Sequence, residues 1–212
     1  MIHKSPLPPI DIPELSYPAF GLARALEFGD HAAFIDASSD RRLSYADLYA
    51  QVERLAVGFT VHGMVKGDVL AICLPNLPEF AVAVFAATRL GAIVTTINPL
   101  YTAEELARQL ADANAKYLLT LGQFLESYKS VIRETELVEV FILGEDGDGT
   151  PWGELLAHAG SSPAATINPA NDIAVLPYSS GTTGMPKGVM LTHRSLVANA
   201  TMIINGPNDL GE

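Results

Sequence analysis

The 212-residue sequence predicts an α/β fold, a mainly parallel sheet flanked by helices. Three observations carry that prediction. From about residue 32 onward, short apolar runs alternate with helix-length amphipathic segments. Several of the apolar runs, such as "DVLAICL", are continuous rather than alternating, as strands covered on both faces are. Hydrophobic residues make up 49% of the chain and charged residues 17%, which is enough to fill a core and too little charge for a disordered chain.

The elements follow in order. "AAFIDA", residues 32–37, reads as a strand and "SSDRR" as its turn. An amphipathic helix over 45–62 is capped by Ser44, carries Leu48, Val52, Leu55 and Phe59 on one face, and stops at Gly63. "DVLAICL" is a strand, and "NLPEFAVAVFAATRLG" a helix that opens with Asn76 near Pro78 and ends at Gly91. "AIVTTI" is the next strand. Thr102 and Glu105 form a capping box for "AEELARQLADA". "KYLLTL", "QFLESYKSVIRE" and "VEVFIL" are strand, helix and strand; "GEDGDGTP" is a turn and "WGELLAHA" a short helix anchored by Trp152.

Residues 1–160 thus form one α/β subdomain. A Ser/Pro/Ala/Asn-rich connector over 161–172 separates it from 173–212, where "IAVLPY" and "VMLTH" flank a polar loop and the helix "RSLVANATMII" follows.

Several functions are disfavoured. A net charge of −11 argues against nucleic acid, which is bound by neutralising phosphates with Lys and Arg. The one cysteine, Cys73, has no internal disulfide partner and sits in an apolar run, as a buried small hydrophobe does. "MIHKSPLPPIDIP" lacks the apolar core of a secretory leader. Residues 80–97 are interrupted by Arg89 and Gly91 and read as a helix then a strand, not as a transmembrane segment. These features predict a cytoplasmic protein, with a peroxisomal address left open.

"SSGTTGMPKG", residues 179–188, holds four hydroxyl side chains, three glycines and one lysine. Glycines at 181, 184 and 188 let the backbone adopt positive φ and approach a ligand. Successive N–H groups in such a loop make an anion-binding concavity. Ser179, Ser180, Thr182 and Thr183 add neutral donors, Pro186 stiffens the exit, and Lys187 supplies a cation at the rim. A plain turn needs far fewer such residues. The loop fits neither of the two commonest phosphate motifs. Met185 and Gly188 break the Gly-x-x-x-x-Gly-Lys-Ser/Thr pattern, and the loop contains no Gly-x-Gly.

Residues 176–193, "LPYSSGTTGMPKGVMLTH", resemble the signature of the acyl- and aryl-adenylate-forming enzymes, which include acyl-CoA synthetases, 4-coumarate–CoA ligases, firefly-type luciferases and peptide-synthetase adenylation domains. "LSYADL", "GDVLAICLPNLPEF" and "GAIVTTINPLYTAEELARQL" resemble the family's N-terminal segments in the same order, and "KSPLPPIDIP" leans toward the 4-coumarate–CoA ligase branch.

The resemblance implies the distal part of the family's large N-terminal domain, ending in a strand–phosphate loop–strand hairpin and a helix. It also implies an ATP-dependent ligase that activates an aryl or fatty acid as acyl-AMP and passes it to coenzyme A, with Mg2+ accompanying ATP. On the matching positions, Ser179, Ser180, Gly181, Thr182, Thr183 and Lys187 hold the ATP phosphates. Family chains are more than twice as long. Their acid pocket, adenine and ribose contacts, hinge, Mg2+-binding glutamate and C-terminal adenylation lysine have no counterpart here. The chain is therefore expected to be an N-terminal portion, without catalytic or metal-binding residues of its own and inactive without the remainder. A carrier-protein adenylation domain, a luciferase-like oxidase and a non-catalytic binding fragment remain alternatives.

Other residues have quieter readings. His193 reads as a helix-start residue beside the cap Thr192. His3, His31, His62 and His158 lack metal-ligand spacing. Counted from Asp146, Pro151 and Ala157 stand where a calcium loop needs Gly and Glu. Glu104 and Glu105 suit a helix's first turn.

Overall fold

The computed structural model describes residues 9–144, 147–163, 165–179 and 186–205. The chain begins with two short helices, α1 (Tyr17–Gly21) and α2 (Ala25–Phe28). β1 (Ala32–Ile35) and β2 (Arg42–Ser44) follow and pair with each other, antiparallel. Next come α3 (Tyr45–Val61), β3 (Val69–Cys73), α4 (Pro78–Arg89), β4 (Ile93–Thr96), α5 (Ala103–Asp112), β5 (Tyr117–Leu121), α6 (Gly122–Ile132) and β6 (Glu139–Leu143). After β7 (Thr150–Pro151) and α7 (Trp152–Ala157) the chain reaches β8 (Ile173–Val175), β9 (Tyr178–Ser179), β10 (Lys187–Gly188), β11 (Leu191–Thr192) and α8 (His193–Ile204).

Seven strands make the main sheet, in the order β11-β8-β4-β3-β5-β6-β7. Every neighbouring pair in it is parallel except β11 against β8. Strand β3 lies at its centre and is buried along its whole length. Its side chains alternate between two cores, as the period of two requires. Leu70 and Ile72 join Leu55, Phe59 and Val82 of α3 and α4, whereas Val69, Ala71 and Cys73 join Leu106 and Leu110 of α5 and Tyr128 of α6. Burial on both faces is why this run contains no polar residue.

Local signals set several boundaries. Ser44 accepts the N–H of Asp47 at 3.0 Å, and Thr102 and Glu105 complete their reciprocal capping box. Gly63 and Gly91 take φ of 86° and 74° just beyond α3 and α4. Helix α4 starts differently from expectation. Leu77 is its N-cap, without a side-chain bond, and Pro78 opens the helix.

Four features depart from the sequence reading. α1 and α2 are too short to show a period. The 32–37 strand belongs to a separate hairpin with β2, not to the sheet. Thr150 and Pro151, read as turn, pair with Phe141 and Ile142 as an edge strand, a position where proline's missing N–H is tolerated. "IAVLPY" is not one strand: it breaks at Leu176–Pro177 into β8 and β9, which join different sheets. The turn at Glu145 and Asp146 and the tail from 206 lie outside the described residues. Among the described residues no helix is long and apolar enough to cross a membrane.

Candidate functional site

The polar loop is mounted on a small hairpin of its own. Strand β9 pairs antiparallel with β10, Ser179 opposite Lys187 and Tyr178 opposite Gly188. Ser179 and Lys187 are both exposed. The ladder therefore brings together the two ends of segment 180–186 and presents a hydroxyl and a cation at its feet. Ser180, Gly181, Thr182 and Thr183 lie outside the described residues.

The root of the hairpin is fastened to the sheet. The N–H of Leu176 donates to the carbonyl of Val94 at 2.7 Å. The hydroxyl of Thr95 donates to the carbonyl of Leu176 at 2.8 Å. Thr95 Oγ1 in turn accepts from Nε2 of Gln109, buried on α5, at 3.1 Å. Pro177 then ends the β8 ladder, and its carbonyl accepts the N–H of Val189 at 2.8 Å.

Gly188 departs from the reading that it supplies positive φ. It is a strand residue, absent from the glycines with positive φ. Its smallness serves packing instead: a Cβ there would lie 3.1 Å from Leu176 Cδ1 and 3.3 Å from Tyr178 Cζ. The Tyr178 ring crosses this glycine toward α5, where its hydroxyl donates to Asp112 Oδ2 at 2.5 Å. A cavity of about 360 Å³ lies alongside, between Glu105, Arg108 and Asp112 of α5 and Tyr178 and Pro186 of the hairpin. Burial, then the bond to Asp112, raises the Tyr178 phenol above its ordinary range, so it stays a donor at neutral pH.

After the hairpin, β11 returns to the main sheet and leads into α8. Thr192 caps that helix, accepting the N–H of Ser195 at 3.2 Å. His193 does more than start it. Its ring is fully buried, and Nδ1 accepts the N–H of Tyr17 at 3.1 Å, tying the N-terminal segment to α8. Nδ1 is thereby unprotonated, so Nε2 carries the ring proton, and it finds no partner among the described residues.

The remaining candidates settle into structural roles. Cys73 is buried, and burial pushes its thiol up to about 11, far from a reactive thiolate. Trp152 is buried at the start of α7. His31 is exposed. His62 pairs through Nδ1 with Glu139 at 2.9 Å, whereas the buried Nε2 of His158 has no partner among the described residues. Tyr178, Asp112 and Gln109 escaped the sequence reading. Tyr178 and Asp112 stand 66 positions apart, and no motif links them.

The protein-family model described as AMP-binding enzyme matches residues 22–211. Among curated proteins, 4-coumarate–CoA ligase 5 of Oryza sativa subsp. japonica is 38% identical over 212 residues, covering 98% of this chain and 38% of that protein. 4-Coumarate–CoA ligase 2 of Solanum tuberosum is 36% identical over 210 residues, with 98% and 38% covered. Among solved structures, a long-chain-fatty-acid–CoA ligase from Archaeoglobus fulgidus aligns with a TM-score of 0.85 at 32% identity, over 95% of this chain and 41% of that one. The luciferase-like enzyme of the nonluminescent Zophobas morio mealworm, at 22% identity, TM-score 0.76 and coverage of 85% and 43%, shares the fold alone. The chain spans about two fifths of the length of the curated relatives it matches.

Proposed function

The chain belongs to the AMP-binding enzyme family, and from that premise we propose that the intact protein is an AMP-forming acid–CoA ligase whose ATP phosphates are held by the loop on the β9–β10 hairpin. The acid is an aryl or fatty acid, as in the relatives named for 4-coumarate and long-chain fatty acids. In the first step the carboxylate attacks the α-phosphorus of ATP, forming acyl-AMP and releasing pyrophosphate. In the second the thiol of coenzyme A attacks the acyl carbon and displaces AMP.

The first step builds negative charge on the departing β- and γ-phosphates. Donors fixed in advance around that charge lower the barrier more than they strengthen ground-state binding. Ser179, Ser180, Thr182 and Thr183 would supply hydroxyl donors, the backbone around Gly181 its N–H groups, and Lys187 a positive charge. The observation that supports this most is the register of Ser179 against Lys187, which draws both ends of the loop to one point. Among the described residues no group of three or more His, Cys, Asp or Glu side chains is placed to hold a metal ion.

A polypeptide limited to these 212 residues is expected to form no adenylate, because it spans so little of its relatives' length. The test of the proposal is pyrophosphate exchange into ATP by the intact protein, with 4-coumarate and with a long-chain fatty acid. Exchange that depends on one of these acids supports it. Exchange with neither, together with no binding of ATP, contradicts it.

A further inference from the structure

The hairpin that carries the loop is not part of the seven-stranded sheet. Pro177 interrupts the strand between β8 and β9, and there the bond from the Val189 N–H to the Pro177 carbonyl links the β9–β10 ladder to the β8–β11 ladder. Side chains of α5 add to that bond. We infer that the Tyr178–Asp112 contact is a positioning tether that sets where the loop stands over the phosphates of ATP; this rests on the proposed function above.

Three observations converge on it. First, α5 grips the hairpin at two levels. Gln109 holds its root through Thr95 and the Leu176 carbonyl, and Asp112, one turn further along the same helix face, holds its first residue, Tyr178. Second, the exit strand leans on the same ring, since Gly188 leaves only enough space for the Tyr178 ring and Leu176. The tether therefore fixes both feet of the loop, Ser179 beside Tyr178 and Lys187 beside Gly188. Third, the cavity of about 360 Å³ means that hairpin and helix are not packed solidly together along this side. The phenol–carboxylate bond spans that gap at 2.5 Å. A neutral donor on a carboxylate is roughly twice as strong as a bond between neutral groups.

Asp112 is exposed and Tyr178 half-buried, so removing the bond leaves the core untouched. What changes is the placement of the phosphate donors, and a displacement of about 1 Å at a reacting centre costs up to ~100-fold in rate.

The test uses the intact protein and the kinetics of ATP in acid-dependent pyrophosphate exchange. Tyr178→Phe and Asp112→Ala should each lower kcat/KM for ATP by about tenfold, a partial displacement by the same reasoning. The double variant should lose no more than either single one, as expected of two residues acting through one contact. Asp112→Asn, whose amide oxygen still accepts the phenolic proton, should recover most of the loss, and KM for the acid should stay unchanged throughout. Losses that add in the double variant overturn the inference. So does the loss of cooperative melting in both Tyr178→Phe and Asp112→Asn, which would make the contact a determinant of the fold. If Tyr178→Phe is silent while Lys187→Ala is damaging, the tether alone falls. If both are silent, the phosphate-loop reading falls and takes the tether with it.

Discussion

The backbone N–H of Tyr17 donates to Nδ1 of His193 at 3.1 Å, joining residues 176 positions apart. Burial pushes the imidazole below its ordinary 6.5; Asp172 opposes that shift and Lys66 adds to it. The unfolded chain therefore takes up a proton on this residue more readily than the folded one. Stability is steady above pH 6.5 and declines as pH falls from there toward the folded value. Protonation also ends the Tyr17 bond, because a protonated Nδ1 cannot accept. Thermal melting should fall as pH drops below 6.5, and fall less in His193→Gln. An unchanged pH slope in the variant would contradict this account.

Gly58 sits inside α3 where it passes α7. A Cβ there would lie 2.3 Å from the carbonyl oxygen of Leu155 and 2.9 Å from its carbonyl carbon. In an exposed helix Gly→Ala stabilises by about 1 kcal/mol. Here the obstacle is backbone, which cannot swing aside, and overpacking of this kind costs about 1–3 kcal/mol or more. Gly58→Ala should therefore lower the urea midpoint. A raised midpoint would mean that α3 and α7 are not this close.

Arg41 grips Glu79 with two hydrogen bonds, one of them 2.8 Å from Nη2 to Oε2, and the Glu79 side chain is only 10% exposed. Burial alone would raise the carboxyl; the hydrogen bonds and charge of Arg41 outweigh it and hold Glu79 below its ordinary 4.5. This contribution is complete above pH 4.5 and disappears as pH drops through the folded value. Arg41→Ala strands a buried acceptor and should cost about 1–3 kcal/mol near neutral pH. Denaturation should show that penalty shrinking as pH falls below 4.5 and Glu79 is neutralised. A penalty independent of pH would assign Arg41 a packing role only.

What the sequence made legible was local. The Thr102–Glu105 box, the Ser44 cap and the apolar run of β3 each announce themselves within a few residues, and each stands where expected. Pairings across long separations did not. Nothing in "RRLS" says that it will pair with 32–35 rather than join the sheet. Tyr178 looked like the last apolar residue of a strand, and only its bond to Asp112 shows what the hydroxyl is for. The break at Pro177 was readable in principle, since proline inside a strand pattern argues against an uninterrupted central strand. His193 was placed rightly as a helix-start residue, but its hold on Tyr17 depends on a fold that brings α1 and α8 together.

Ser179 and Lys187 stand at the feet of the loop on which the proposed ATP site depends. The measurement that tests it most directly is kcat/KM for ATP in acid-dependent pyrophosphate exchange, comparing the intact protein with its Lys187→Ala variant. Loss of one preorganised donor to the charge developing in the transition state predicts a fall of about 10²–10³-fold. ATP affinity and exchange rate both left at the parent's values would contradict it.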